Sequence, residues 1–79
     1  MPEFNEEENK YDELKKMANI ATDLQLSGKM RVQAINLLGD METHESLLVL
    51  LNLAANDKLN IEERDLALKR AREIVKKGR

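Results

Sequence analysis

The chain has 79 residues, a net charge of −2 and no cysteine. This length limits it to one small domain, and the lack of cysteine excludes disulfide bonds. A structural zinc site is not expected either, because the sequence holds only one histidine. The apolar run at residues 47–55 is shorter than the roughly 20 residues that cross a bilayer, and no secretory signal opens the chain. We therefore expect a cytoplasmic protein without membrane contact, metal or other cofactor.

The first half of the chain predicts two helices. The one proline is residue 2, and the helix formers Leu, Ala, Glu and Lys are frequent, which favours an all-α fold. Asn9 is placed to cap a first helix that runs to about Leu24. Ser27 is placed to cap a second helix that ends near Gly39.

The second half predicts two more helices. Thr43 can cap a third helix, with Glu45 near the positive end of the helix dipole. Asn60, with Glu63 three residues later, resembles a capping box and opens a fourth helix. The connections between the helices are short, which suits antiparallel neighbours.

Charge is unevenly distributed along the chain. Residues 1–8 are acidic with few apolar residues, so they predict a disordered tail, followed by a single helical domain at residues 9–79. Residues 62–79 are instead basic. The acidic and basic ends can pair, within one chain or between two, and either a monomer or a homodimer is compatible with the sequence.

The chain resembles itself at a shift of 33 residues. Apolar positions and capping residues coincide between the two copies, which favours an internal repeat of two helices. The identical pairs are Leu14 with Leu47, Asn19 with Asn52, Ala21 with Ala54, Leu26 with Leu59, Arg31 with Arg64, and Ala34 with Ala67.

The segment MRVQAINLLGDMETHESLLVLLNLAAND resembles one HEAT-like repeat of the phycobilisome-lyase type. The matching positions are Arg31, Ala34, Leu38 and Gly39, followed after an acidic turn by Leu47, Leu50, Leu51 and Leu53. A second copy departs from the pattern with Arg72 where glycine would stand, and Met30 and Glu63 replace a preferred valine. The resemblance covers residues 11–75. It implies an α-solenoid, usually a protein-binding one, and no catalytic residue.

The expected fold is therefore all-α, with four antiparallel helices forming a short two-layer HEAT-like α-solenoid. Four aligned positions are apolar in the inner helices and charged in the outer ones: Leu48 and Val49 against Lys15 and Lys16, and Val32 and Leu37 against Asp65 and Arg70. A helix that is apolar nearly all round is a buried helix, so we expect the third helix to pack on more than one side. Polar outer helices would cap both ends, as in a complete solenoid domain.

One line of side chains on each second-type helix, the first and third helices of the chain, predicts a binding surface. We call it the polar stripe; its members are Asp12, Lys16, Asn19 and Asp23 with Glu45, Val49, Asn52 and Asn56. Their spacing places each set along one helix face. A protein partner of unknown identity is expected there, with Asn19 and Asn52 as hydrogen-bonding centres and Val49 as an exposed anchor. The alternative is a simple solvated face.

The fourth helix predicts a rival surface, the basic face, made of Lys69, Arg70, Arg72, Lys76, Lys77 and Arg79. Such a face can bind phosphates, so a nucleic-acid-associated regulator is the alternative function. Aromatic residues for base stacking are only 3% of the chain, which disfavours it. A small inhibitor that masks a site on a larger protein is the third option. His44 has no nucleophile motif beside it, so an enzyme is not expected.

Overall fold

The computed structural model describes residues 6–78, with side chains from residue 12 onward, and this part of the chain contains four α-helices and no strand. The helices are α1 (Glu6–Thr22), α2 (Gly28–Met41), α3 (His44–Ala54) and α4 (Ile61–Lys77). The all-α prediction is confirmed. None of these helices is both long and apolar enough to cross a membrane.

The first helix differs from its prediction at both ends. It begins at Glu6, so the predicted cap at Asn9 is wrong, and it ends at Thr22, before Leu24. Acidic residues 6–8 suit a first helical turn, because carboxylates are favourable near the positive end of the helix dipole. Of the predicted tail, residues 1–5 lie outside the described residues, and residues 6–8 belong to α1.

The other three predicted caps are confirmed. Ser27 Oγ accepts a hydrogen bond from the Met30 amide at 3.2 Å. Thr43 Oγ1 accepts from the Ser46 amide at 3.0 Å, and Ser46 Oγ accepts in return from the Thr43 amide. The Asn60 capping box forms as predicted, since Asn60 Oδ1 accepts from the amide of Glu63 at 2.8 Å. Each cap satisfies amides that a helix start leaves without an internal partner.

The helices associate as two pairs. α1 packs extensively on α2, which defines the first pair, and α3 packs on α4, which defines the second pair. The two pairs meet mainly through α2 and α4, with smaller contacts of α3 to α2 and α1. The shared core consists of small and branched side chains from all four helices and from the α3–α4 connection: Leu14, Ala21, Ala34, Ile35, Leu38, Leu50, Leu53, Leu59, Ala67, Ala71 and Ile74.

The α1–α2 and α3–α4 connections repeat each other at the 33-residue spacing. Asp23 Oδ1 accepts from the Gln25 amide, and Asn56 Oδ1 accepts from the Lys58 amide, each at 2.9 Å. The backbone bonds shift together as well: the Leu26 amide donates to the Asp23 carbonyl, and the Leu59 amide donates to the Asn56 carbonyl. The aligned sequence segments therefore adopt the same local structure.

Both aligned arginines donate to backbone carbonyls that precede them in the chain, Arg31 within the α1–α2 connection and Arg64 at the end of α3. Arg31 Nη1 donates to the carbonyls of Leu26 and Asp23 at 2.6 and 3.2 Å. Arg64 Nε donates to the carbonyl of Ala54, the last residue of α3, at 3.2 Å. Carbonyls at a helix C-terminus have no partner within the helix, so a guanidinium there stabilises the end of the helix.

Helix α3 contacts α1, α2 and α4, but it is less completely buried than its apolar sequence predicts. Leu48 is 49% exposed and Leu51 is 43% exposed, whereas Leu50 and Leu53 of the same helix are buried. On α2, Leu37 is 50% exposed, although the alignment placed it on the inside. The reason is that the contacts of α3 with α1, α2 and α4 still leave one long side of this apolar helix open to solvent.

Candidate functional site

The polar stripe lies on neighbouring helices, since α1 and α3 are in contact. Five of its members are exposed: Asp12, Lys16, Asn19, Glu45 and Asn52. Asp23 and Asn56 instead hold the two connections through their bonds to backbone amides. Because these two side chains stabilise turns, only their helical spacing supports a role in partner binding.

Val49 does not have the predicted exposed position. It is partly buried and packs against the core, so it cannot act as an isolated apolar anchor on the polar stripe.

The basic face is smaller than the sequence suggests. Arg70 points into the interface between the pairs, where Nη1 donates to Asn36 Oδ1 at 3.0 Å and Nη2 donates to Asp40 Oδ1 at 2.6 Å. Its Nε lies 3.1 Å from Glu73 Oε1 but lacks hydrogen-bond geometry. The predicted exposure of Arg70 is therefore wrong. Gly39 allows this approach, because a Cβ there would overlap the guanidinium.

Lys77 is also engaged within the chain. Its Nζ donates to Glu42 Oε2 at 2.8 Å, and this hydrogen bond, with the carboxylate charge, raises the pKa of Lys77 above its ordinary value of 10.5. Arg79 lies outside the described residues. The members of the basic face that remain exposed without an ion pair in the described part of the chain are Lys69, Arg72 and Lys76.

A buried ion pair joins the two helix pairs and was not predicted. Glu63 is 1% exposed, and its Oε2 accepts from Arg31 Nε at 3.0 Å. The sequence identified Glu63 only as the partner of Asn60 in the capping box. Its second partner is 32 residues away, so the pair could be recognised only once α2 and α4 were placed together.

An apolar groove runs between α3 and α4 on the outer side of the second pair. Its volume is about 270 Å³. It is lined by the apolar residues Leu47, Leu51, Leu68, Ala71 and Val75 and by the exposed basic residues Arg72 and Lys76. We call it the basic groove. Val75 is 54% exposed, so apolar surface here is open to solvent.

A second groove lies between α1 and α2 on the outer side of the first pair. Its volume is about 280 Å³. Met17, Leu37 and Met41 form the apolar part, and Glu13 and Asp40 supply carboxylates at the edge. We call it the acidic groove. The two grooves thus combine an apolar floor with charges of opposite sign.

Neither groove was among the predicted sites. The signal that could have revealed them is the repeat itself, because outer residues of one pair align with core residues of the other. His44 is an exposed first residue of α3, and the described residues contain no group of three or more potential metal ligands. Comparison of the chain with family models, curated proteins and solved structures finds no match.

Proposed function

We propose that the chain is a small protein-interaction module with the organisation of a HEAT-like α-solenoid. In this proposal each pair is an antiparallel hairpin, and the two hairpins stack into two layers. Support comes from the two connections, whose side-chain and backbone hydrogen bonds repeat at the 33-residue spacing. Solenoid units of this kind bury their apolar faces by stacking against similar units.

The observation that carries the binding function is the basic groove. Leu51 and Val75 leave about half of their side chains in water, beside Leu47 and Leu68, in a chain with few residues available for its core. Exposed apolar patches with a polar border are typical of protein-binding surfaces. A helix with one apolar side and flanking carboxylates would fit this groove, because Arg72 and Lys76 stand at its edge.

The polar stripe remains a second candidate surface for the same function. It offers amides at Asn19 and Asn52 but little apolar area, since Val49 packs against the core. Binding hot spots are usually well-packed apolar or aromatic anchors. We therefore favour the basic groove over the polar stripe.

Site-specific photo-crosslinking in cells tests this choice. A photoreactive phenylalanine analogue replaces Leu51 or Val75 in the basic groove and, in matched variants, Asn19 or Asn52 in the polar stripe. We expect protease-sensitive adducts from the groove positions and few from the stripe positions. Adducts from the stripe alone would move the interface to α1 and α3, and no protein adduct from any position would refute a protein-binding function.

The nucleic-acid alternative rests on Lys69, Arg72 and Lys76, which follow helical spacing on the exposed side of α4. Three phosphate contacts make binding weak and strongly dependent on salt. Fluorescence anisotropy with duplex DNA and RNA at about 50 mM salt, a permissive condition for such contacts, tests it. Salt-dependent binding that is lost when the three residues become glutamine would support the alternative, and no binding would exclude it.

A further inference from the structure

Residues that line the basic groove align, in the 33-residue repeat, with residues that the first pair buries. At the 33-residue shift, Leu68 aligns with Ile35 and Ala71 aligns with Leu38. Both Ile35 and Leu38 are fully buried in the core that the two pairs share. In the second pair, the partly buried Leu68 and the buried Ala71 line the basic groove together with the half-exposed Leu51 and Val75. The second pair therefore exposes the type of surface against which another helix pair packs within this chain.

Residues that line the acidic groove align, in the same way, with residues that the second pair buries. Met17 aligns with Leu50, and Met41 aligns with Ile74, and both second-pair residues are buried in the core. Leu37, which is half exposed, aligns with Arg70, the residue that reaches across to α2. The outer side of the first pair is thus built like the side of the second pair that packs inside the molecule.

Lining residues of each open groove therefore align with residues that the other pair buries in the core. We propose that a second copy of this chain occupies the basic groove through its own acidic groove, so that copies stack head to tail. The inference rests on the proposed function, because it identifies the protein partner of the basic groove. Such a contact joins two different surfaces, so it is heterologous and can continue from copy to copy.

The charges at the groove edges favour this orientation. Glu13 and Asp40 border the acidic groove, and Arg72 and Lys76 border the basic groove. Asp40 is bonded to Arg70, but 67% of its side chain stays exposed and it lines the acidic groove. Pairing two basic grooves, or two acidic grooves, would bring like charges together, whereas head-to-tail stacking brings opposite charges together.

Complementary disruption of the two grooves distinguishes head-to-tail stacking from a symmetric dimer. Leu37→Asp places a charge in the acidic groove, and Leu51→Asp places one in the basic groove. Both leucines are about half exposed, so the fold should tolerate the changes, which circular dichroism verifies. Leu24→Asp is the control, because Leu24 is 54% exposed, lines neither groove and aligns with the exposed Asp57.

Sedimentation velocity over a wide concentration range provides the measurement. We expect the unmodified chain and Leu24→Asp to form a concentration-dependent series of oligomers, weakened by salt. Each groove variant alone should remain monomeric, but a mixture of the two should form a heterodimer and stop there, because each partner keeps one intact groove.

Two results would overturn the inference. One is a monomer at every concentration of the unmodified chain. The other is a dimer that Leu51→Asp abolishes and Leu37→Asp leaves intact, which indicates a symmetric contact. If the purified chain is monomeric while photo-crosslinking at Leu51 captures a different protein, head-to-tail stacking fails and the proposed function stands. If the purified chain is monomeric and no protein is captured at Leu51, Val75, Asn19 or Asn52, both fail.

Discussion

Replacing Glu63 with glutamine separates the two roles of this buried side chain. Glutamine retains an oxygen that can accept from the Asn60 amide, so the capping box survives. It removes the negative charge that faces Arg31 at 3.0 Å. The guanidinium is then left in the interface between the two pairs with only carbonyl oxygens and the new amide as acceptors.

The expected cost follows from the burial of both partners, whose side chains are 12% and 2% exposed for Arg31 and Glu63. Removing one partner of a buried ion pair costs about 3–5 kcal/mol when the other charge is left uncompensated. Here Arg31 keeps two bonds to carbonyls, so the loss is closer to that of one charged hydrogen bond, about 1.5–3 kcal/mol. Glu63→Ala also removes the cap contact and should reach the upper range, about 3–5 kcal/mol.

Urea and thermal unfolding followed by circular dichroism measure these differences. Glu62→Gln is the matched control, because Glu62 is exposed in the same helical turn and loses the same charge near the helix N-terminus. It should change the free energy of unfolding by at most about 0.5 kcal/mol. A double-mutant cycle with Arg31→Met isolates the pairwise term. If Glu63→Gln and Glu62→Gln unfold at the same midpoint, the Arg31–Glu63 ion pair does not stabilise the interface between the pairs.

Three further measurements address other parts of the molecule. Leu50→Ala should lower the free energy of unfolding by about 2–5 kcal/mol, because Leu50 is buried. Leu48→Ala in the same helix should lower it by about 1 kcal/mol, since half of Leu48 is already in water. Equal losses would show that Leu48 is as buried as Leu50. Glu42→Gln should lower the pKa of Lys77 toward 10.5 in an NMR titration, and an unchanged titration would show that the pair is absent in solution. Because Glu42 raises the pKa of Lys77, the pair stabilises the fold at neutral pH, and this contribution is lost as the pH rises through the raised pKa. In urea unfolding, the free energies of the unmodified protein and Glu42→Gln should therefore differ least at strongly alkaline pH.

Local features were predictable because their partners lie close in sequence. Ser27, Thr43 and Asn60 each accept from an amide three residues later, so the residue type and its position before a helix were enough. The start of α1 was predicted less well. Asn9 is a good capping residue, but the acidic residues before it are also favourable in a first turn, and the longer helix forms.

Surface assignments failed where side chains have partners in another helix pair. Arg70 was predicted on the basic face, yet it donates hydrogen bonds to Asn36 and Asp40, which lie 34 and 30 residues away in the sequence. Val49 was predicted to be exposed, yet it packs against the core. Helical spacing defines which residues share one side of a helix, but not which neighbour that side meets.

By itself, the sequence determined the all-α class, three of the four helix starts and the 33-residue correspondence between the connections. These properties depend on residue type, helix propensity and hydrogen bonds that span a few residues. Only the tertiary structure decided that Leu50 is buried while Leu51 is open, and that Glu63 pairs with Arg31. The physical reason is that burial and long-range pairing depend on which helix faces meet, and that is decided by residues far apart in the sequence.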